Sequence, residues 1–197
     1  MPSGRFITLR NKTFGESDLL VDALSKEGER LTLTAKNALK SRRRFAGGVL
    51  EPLHFVEISY TQAQSGYLYI QEATIIQAFE KLRQDYTKLQ TALYFVSLVS
   101  KGAQEGLDDN RALFDLLGNA LKALEDSWHI EILKIQFQLK FLFVMGFLAS
   151  DQDTYEFLAF PVSRHGDIQL TNDELSYMSQ QTGRLLKEQL PNLVKEF

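Results

Sequence analysis

Asp18-Leu19-Leu20-Val21-Asp22-Ala23-Leu24-Ser25-Lys26-Glu27-Gly28-Glu29-Arg30-Leu31-Thr32-Leu33-Thr34-Ala35 decides the fold class. Leu19, Val21 and Ala23 alternate with Asp18, Leu20, Asp22 and Leu24. After the turn Ser25 to Glu29, Leu31, Leu33 and Ala35 alternate with Arg30, Thr32 and Thr34. A period of two puts successive side chains on opposite faces, so the stretch predicts a β-hairpin with one buried face. Arg5 to Arg10 predicts a short strand before it. Phe55 to Thr61, where Val56, Ile58 and Tyr60 oppose Phe55, Glu57 and Ser59, predicts a fourth. Tyr67 to Ala73, entered through Gln64-Ser65-Gly66, predicts a fifth. Five short strands with the longest connection between the third and fourth suit an OB-fold barrel. An SH3-like barrel or an open meander gives much the same pattern.

From Ala78 the period becomes helical. Phe79, Leu82, Tyr86, Leu89, Leu93, Val96 and Val99 step along one face, and Gly102 ends that helix. Asp108-Asp109-Asn110 offers caps for a second helix with the stripe Leu113, Leu117, Leu121, Leu124. A third helix carries two stripes, one through Leu133, Phe137 and Phe141 and one through Ile135, Leu139 and Leu142, which predicts a place at the centre of the helical part. Thr171-Asn172-Asp173-Glu174 is a capping box opening a last helix that runs to Pro191. The expected organisation is α+β: a five-stranded OB-fold barrel over residues 1–77, then an all-helical domain over 78–197 with an irregular segment at about 150–170.

The 197 residues include no cysteine, which removes disulfides, thiol catalysis and cysteine zinc sites and fits a reducing, cytosolic setting. Met1 to Arg10 lacks an apolar h-region, so no signal peptide is expected. The most apolar stretch, Ile130 to Ala149, is broken by Glu131, Lys134, Gln136, Gln138 and Lys140, so no membrane partner is expected. The GxxxxGK[ST] phosphate loop is absent from the chain, as are GxGxxG and GxSxG patterns. His54, His129 and His165 have no metal-ligand spacing, and Asp151-Gln152-Asp153 lacks the glycine and closing glutamate of a calcium loop. These readings predict no enzyme, no cofactor, no metal and no small-molecule substrate.

The positive signal is charge. Residues 1–80 hold ten Lys/Arg against nine Asp/Glu, and residues 81–197 hold twelve against sixteen. Within this acidic chain, Arg30 to Leu50 carries Arg30, Lys36, Lys40, Arg42, Arg43 and Arg44 with no acidic residue. Three consecutive arginines repel one another, and phosphate oxygens match guanidinium forks bidentately. Gly47 and Gly48 at the end of the stretch predict a mobile inter-strand loop. Tyr60, Tyr67 and Tyr69 flank one turn on the fourth and fifth strands. A basic groove with aromatic faces is how single-strand binders hold backbone and bases. Tyrosines so placed also suit a barrel exterior or a docking face for the helices.

In order along the chain, Gly15-Glu16-Ser17-Asp18 resembles the GExD segment of RecO recombination mediators, and Ala35 to Gly47 resembles that family's AKGARxxKSRFAG stretch. Leu50-Glu51-Pro52 is similar to its LxP. Phe79-Glu80-Lys81-Leu82-Arg83-Gln84-Asp85, Ala92-Leu93-Tyr94, Leu113 to Leu117, and Phe137 to Lys140 leading to Gly146-Phe147 follow in the family's order. The resemblance implies an OB-fold and a helical domain. It implies single-stranded DNA binding and annealing, and help in replacing single-strand-binding protein with recombinase, together with a RecR-like partner in the bacterial cytosol. It maps DNA contact onto Lys36, Lys40 and Arg42 to Arg44. Three departures stand out: many members carry a four-cysteine zinc site after the Gly-Phe turn, Asn37 replaces a glycine, and the chain is short for the family. The acidic helical part and the isoelectric point near 5.7 suit, as the alternative, a protein-interaction adaptor with weak or no DNA binding.

Overall fold

A computed structural model describes residues 1–41, 43–45, 48–103 and 110–190. These fall into two compact units, Met1–Glu80 with Ala103–Gly118, and Lys81–Gly102 with Asn119–Phe197.

The first unit contains five strands: β1 (Ser3–Phe14), β2 (Asp18–Ser25), β3 (Arg30–Ala35), β4 (Phe55–Gln62) and β5 (Leu68–Gln77). They close in the order β1-β2-β3-β5-β4, with every pair antiparallel except β3 and β5. That parallel seam, Leu33 against Leu68 and Thr34 against Tyr69, is the OB-fold arrangement and excludes an open meander. β1 serves two neighbours because its register shifts between Thr8 and Arg10, a bulge that bends the strand. There Thr8 donates its N–H to the His54 carbonyl and accepts from the Leu53 N–H.

In β2, β3 and β4 the inward side chains Val21, Ala23, Leu33, Ala35, Val56 and Ile58 are those the alternation predicts, and with Ile70 of β5 they are all at most 1% exposed. The β3–β4 connection adds Ala38, Phe45, Val49 and Leu50 to the same core. Burying these apolar groups anchors Ala38, Phe45, Val49 and Leu50 on the barrel; Arg42, Ala46 and Gly47, within the stretch whose sequence predicts mobility, lie outside the described residues. The connection ends in a turn, Glu51-Pro52-Leu53-His54, closed by His54 N–H to the Glu51 carbonyl. Leu53 occupies its left-handed position at φ 77° and is buried.

Helix α2 (Arg111–Asp126) begins in this unit. Of its expected caps, Asp108 and Asp109 lie outside the described residues. Asn110 donates from its side chain and its backbone to the Gly28 carbonyl, and Arg111 Nε donates to the Glu27 carbonyl, tying the β2–β3 turn. Phe114 meets Phe55 edge-on at 5.9 Å.

In the second unit α1 (Tyr86–Gly102) starts later than the periodicity predicts. Asp85 Oδ1 accepts from Lys88 N–H, an N-cap that sets the start, while Phe79 at φ 51° and the 3₁₀ segment Glu80–Gln84 break the earlier helix. Tyr86 is therefore 79% exposed, and the buried face is Ala92, Phe95, Val96 and Val99. Helix α3 (Ile130–Val144) packs with α1, with α4 (Tyr155–Ala159), with a 3₁₀ segment Val162–Asp167 and with α5 (Asn172–Gln189), the central place its two stripes predict. It ends in a Schellman motif: Gly146 at φ 75° donates to the Phe143 carbonyl and Phe147 to that of Leu142. Phe95 and Phe137 stack at 3.9 Å, and a Cβ on Gly102 would lie 2.7 Å from the Phe141 ring. Thr171 and Glu174 form the capping box that starts α5.

The stretch after Gly146-Phe147 does not fit the four-cysteine zinc site of the family that the sequence resembles. Asp151 Oδ1 is committed to the Thr154 hydroxyl and N–H, hydrogen bonds that hold the Asp151 carboxyl below its ordinary pKa. Among the described residues no three His, Asp or Glu side chains are grouped to hold an ion. No helix among them is long and apolar enough to cross a membrane.

Candidate nucleic-acid interface

The β1–β2 turn and the start of the β3–β4 connection clasp each other. Asp18 Oδ1 accepts from the Asn37 N–H at 2.7 Å, Ser17 Oγ donates to Asn37 Oδ1 at 3.0 Å, and Leu39 N–H donates to the Ser17 carbonyl. Asn37 sits at φ 55°, the left-handed region, where asparagine is the tolerated substitute for glycine. The clasp holds the 3₁₀ turn Ala38–Lys40 and leaves Lys36, before it, and Lys40, at its end, exposed.

Arg44 continues the arrangement. Its N–H donates to Ser41 Oγ and its guanidinium to the Lys36 carbonyl at 3.2 Å, while Phe45 beneath it is buried in the barrel. The guanidinium carbon lies 5.2 Å from the Phe45 ring centre. Arg43 and Arg44, both exposed, line a depression of about 580 Å³ with Ser41 and with Glu72, Ala73 and Thr74 of β5. Arg42 lies outside the described residues. Among the described residues, Lys36, Lys40, Arg43 and Arg44 form no ion pair, so their charge is available to an incoming anion.

A larger groove of about 850 Å³ crosses the outer face of β2, β3 and β5. Leu20, Leu31 and Leu68 give it an apolar floor, the last two also packing on the barrel core, Thr32 and Thr34 add hydroxyls, and Asp18, Lys36, the exposed Tyr67 and the half-buried Tyr69 complete its lining. Lys36 Nζ lies 4.3 Å from the centre of the Tyr69 ring, a cation–π contact. Tyr67 precedes β5 in the turn held by Gly66 N–H to the Ala63 carbonyl, and is 66% exposed.

Two of the sequence candidates have other surroundings. Tyr60 pairs with the inward-facing Ile70 and packs on the barrel core, edge-on to Phe6 at 6.2 Å. Burial and the nearby Glu29 and Glu27 raise its pKa. Arg30 lines the large groove, yet its guanidinium donates to the Ala103 carbonyl and lies 3.7 Å from Asp22. Asp22 also accepts from Arg10 and Thr32, which makes Arg30 part of a polar network across three strands.

Phe14 is the groove residue the sequence does not single out. β1 runs to Phe14, paired with Asp18 across the β1–β2 turn, and its ring is 56% exposed on the groove. Its position directly before Gly15, at the end of a strand, was the available signal.

Comparison with known proteins gives one consistent result. The family model described as recombination protein O N terminal matches residues 1–79, and recombination protein O C terminal matches residues 83–153. The DNA repair protein RecO of Desulfosudis oleivorans is 35% identical over 144 residues, covering 71% of this chain and 54% of that protein. Those of Syntrophobacter fumaroxidans and Thermodesulfovibrio yellowstonii are each 32% identical, covering 72% of this chain and 56% of each relative. The chain spans about half the length of these relatives.

Proposed function

We propose that this chain, which belongs to the RecO family of DNA repair proteins, binds single-stranded DNA across the outer face of β2, β3 and β5 and under the arginines of the β3–β4 connection. The observation that carries the reading is the groove in which Lys36, Tyr67 and Tyr69 meet, beside the depression lined by Arg43 and Arg44. An OB barrel offers the strand 2–3 face, flanked by the β1–β2 and β4–β5 turns, to oligonucleotides. Cations there neutralise phosphates and aromatic faces accept bases. Lys36, Lys40, Arg42, Arg43 and Arg44 are the phosphate-binding residues in this proposal, and Tyr67 and Tyr69 the stacking residues. Arg30 acts through the Asp22 network that supports the groove.

Strand annealing, assistance to recombinase on DNA coated with single-strand-binding protein, and a RecR-like partner follow from family membership and belong to the same proposal, as does a cytosolic setting. The test is anisotropy of labelled single-stranded DNA over a range of salt, comparing the native chain with Arg42→Ala, Arg43→Ala, Arg44→Ala. Each phosphate that the protein no longer neutralises lowers the log–log salt slope by about 0.7 for a single strand. A triple variant with reduced affinity and a slope smaller by about 2 supports the interface. An unchanged slope moves the DNA elsewhere, and failure of the native chain to bind leaves the adaptor role in its place.

A further inference from the structure

The groove has features that phosphate attraction does not need. Phe14 is 56% exposed at one end of it and Tyr67 66% exposed at the turn between β4 and β5. These two turns come from opposite ends of the strand order, β1–β2 and β4–β5, and the barrel closure brings both onto one opening. Tyr69, deeper in the groove, already has the Lys36 ammonium over its ring. The floor between them is apolar, made by Leu20, Leu31 and Leu68.

Exposed aromatic rings lose favourable burial unless a partner covers them. A protein partner would be suited by a contiguous apolar patch. Here Lys36, Arg30 and two threonines stand among the rings, with the one carboxylate, Asp18, bonded to the Asn37 N–H, a pattern suited to a ligand that is flat and apolar on its faces and anionic along its edge. An unpaired nucleobase on a phosphate backbone has that chemistry, and a duplex, whose base faces are stacked inside, does not.

We infer that Phe14 and Tyr67 form the two lips of a clamp for unpaired bases, which selects single strands over duplex independently of the basic loop. The inference rests on the DNA-binding reading and divides its labour. Arg43 and Arg44 attract any polyphosphate, while the lips respond only to exposed base faces. Tyr69 joins when Lys36 leaves its ring for a phosphate, so its stacking is coupled to backbone binding.

The experiment titrates the full chain against three labelled probes of equal length: a single-stranded oligonucleotide, a duplex, and an abasic deoxyribose-phosphate oligomer. Phe14→Ala and Tyr67→Ala, singly and together, should weaken single-strand binding about tenfold or more per ring. Their affinities for duplex and abasic oligomer, and the salt slope, should stay at the native values. Phe14→Tyr and Tyr67→Phe, which keep the rings, should bind as the native chain does, which separates stacking from any effect on folding. Equal losses on all three probes would overturn the clamp. So would undiminished single-strand binding, which would turn these rings toward a protein partner. If the native chain binds none of the probes, the DNA-binding reading itself fails and the clamp with it.

Discussion

At the scale of single residues, the proposed interface depends on backbone that holds cations in place as much as on the cations. Asn37 accepts a left-handed conformation and is gripped by Ser17 and Asp18, so Lys36 and Lys40 leave the barrel at fixed points. A β-branched residue cannot adopt that conformation at small cost. Asn37→Val should destabilise the barrel by about 1–2 kcal/mol, whereas Asn37→Gly should fall within about 0.5 kcal/mol of native; urea midpoints for the two variants check this. The basic residues were legible because charge is visible in composition without any knowledge of the fold. The tyrosines were only partly so. Tyr60 shares its alternation with Val56 and Ile58, and that alternation already turns it toward the core, whereas Tyr69 lies one step out of phase with Ile70. Phe14 was not legible as a groove residue, because its place depends on the end of β1 and on a turn some fifty residues away folding beside it.

At the scale of elements, α3 shows why polar residues interrupt an apolar helix. Gln136 is fully buried and donates through its amide nitrogen to the carbonyls of Phe157 and Phe160. Gln138 donates to the Tyr94 hydroxyl, and Lys140 Nζ donates to the Leu158 carbonyl. Burial lowers the Lys140 pKa. Gln136 and Lys140 attach α4 and its exit to α3, in a region where the sequence showed only irregularity, while Gln138 ties α3 to α1. Gln136→Leu keeps the volume but leaves two carbonyls without their donor. It should cost about 2–4 kcal/mol, seen as a lower urea midpoint with an unchanged denaturant slope. Periodicity could locate α3, since its stripes depend only on neighbours in sequence. It could not locate the start of α1, because one aspartate cap at Asp85 overrode a hydrophobic pattern that ran through it. Nor could it extend β1 past Arg10, where Asn11, Lys12 and Thr13 lack the alternation of a half-buried strand.

At the scale of the whole molecule, acid should weaken the fold in two stages. Ser127 Oγ lies 2.7 Å from His165 Nε2, and His165 Nδ1 lies 2.9 Å from the Val162 carbonyl. With Nδ1–H donating to that carbonyl, Nε2 accepts from the serine. Ser127 also accepts from the His129 N–H at the start of α3, so this serine–histidine pair braces a helix end. Burial, assisted by His129 and opposed by the Val162 hydrogen bond and Asp167, holds the His165 pKa below 6.5. The unfolded chain therefore takes up a proton below about pH 6.5 that the folded chain resists, and stability falls from there downward. Asp126, Asp151 and Glu174 have lowered pKa values from Lys81, Thr154 and Thr171, so their contributions, present near neutrality, are lost at more acid pH as those carboxylates protonate. Melting temperatures should be level between pH 7 and 8 and decline toward pH 5.5, with the first decline reduced in His165→Leu. The discontinuous first unit also bears on how the protein is made. Its barrel strands are complete by Gln77, but Asn110, Arg111 and Phe114, which cover the β2–β3 turn and Phe55, come from a stretch that is translated later. A nascent chain must wait for Gly118 to emerge from the ribosome before that unit is whole. Until Phe114 has emerged, Phe55 and the Gly28 carbonyl lack their final partners, which leaves that side of the barrel open to chaperones and proteases during synthesis.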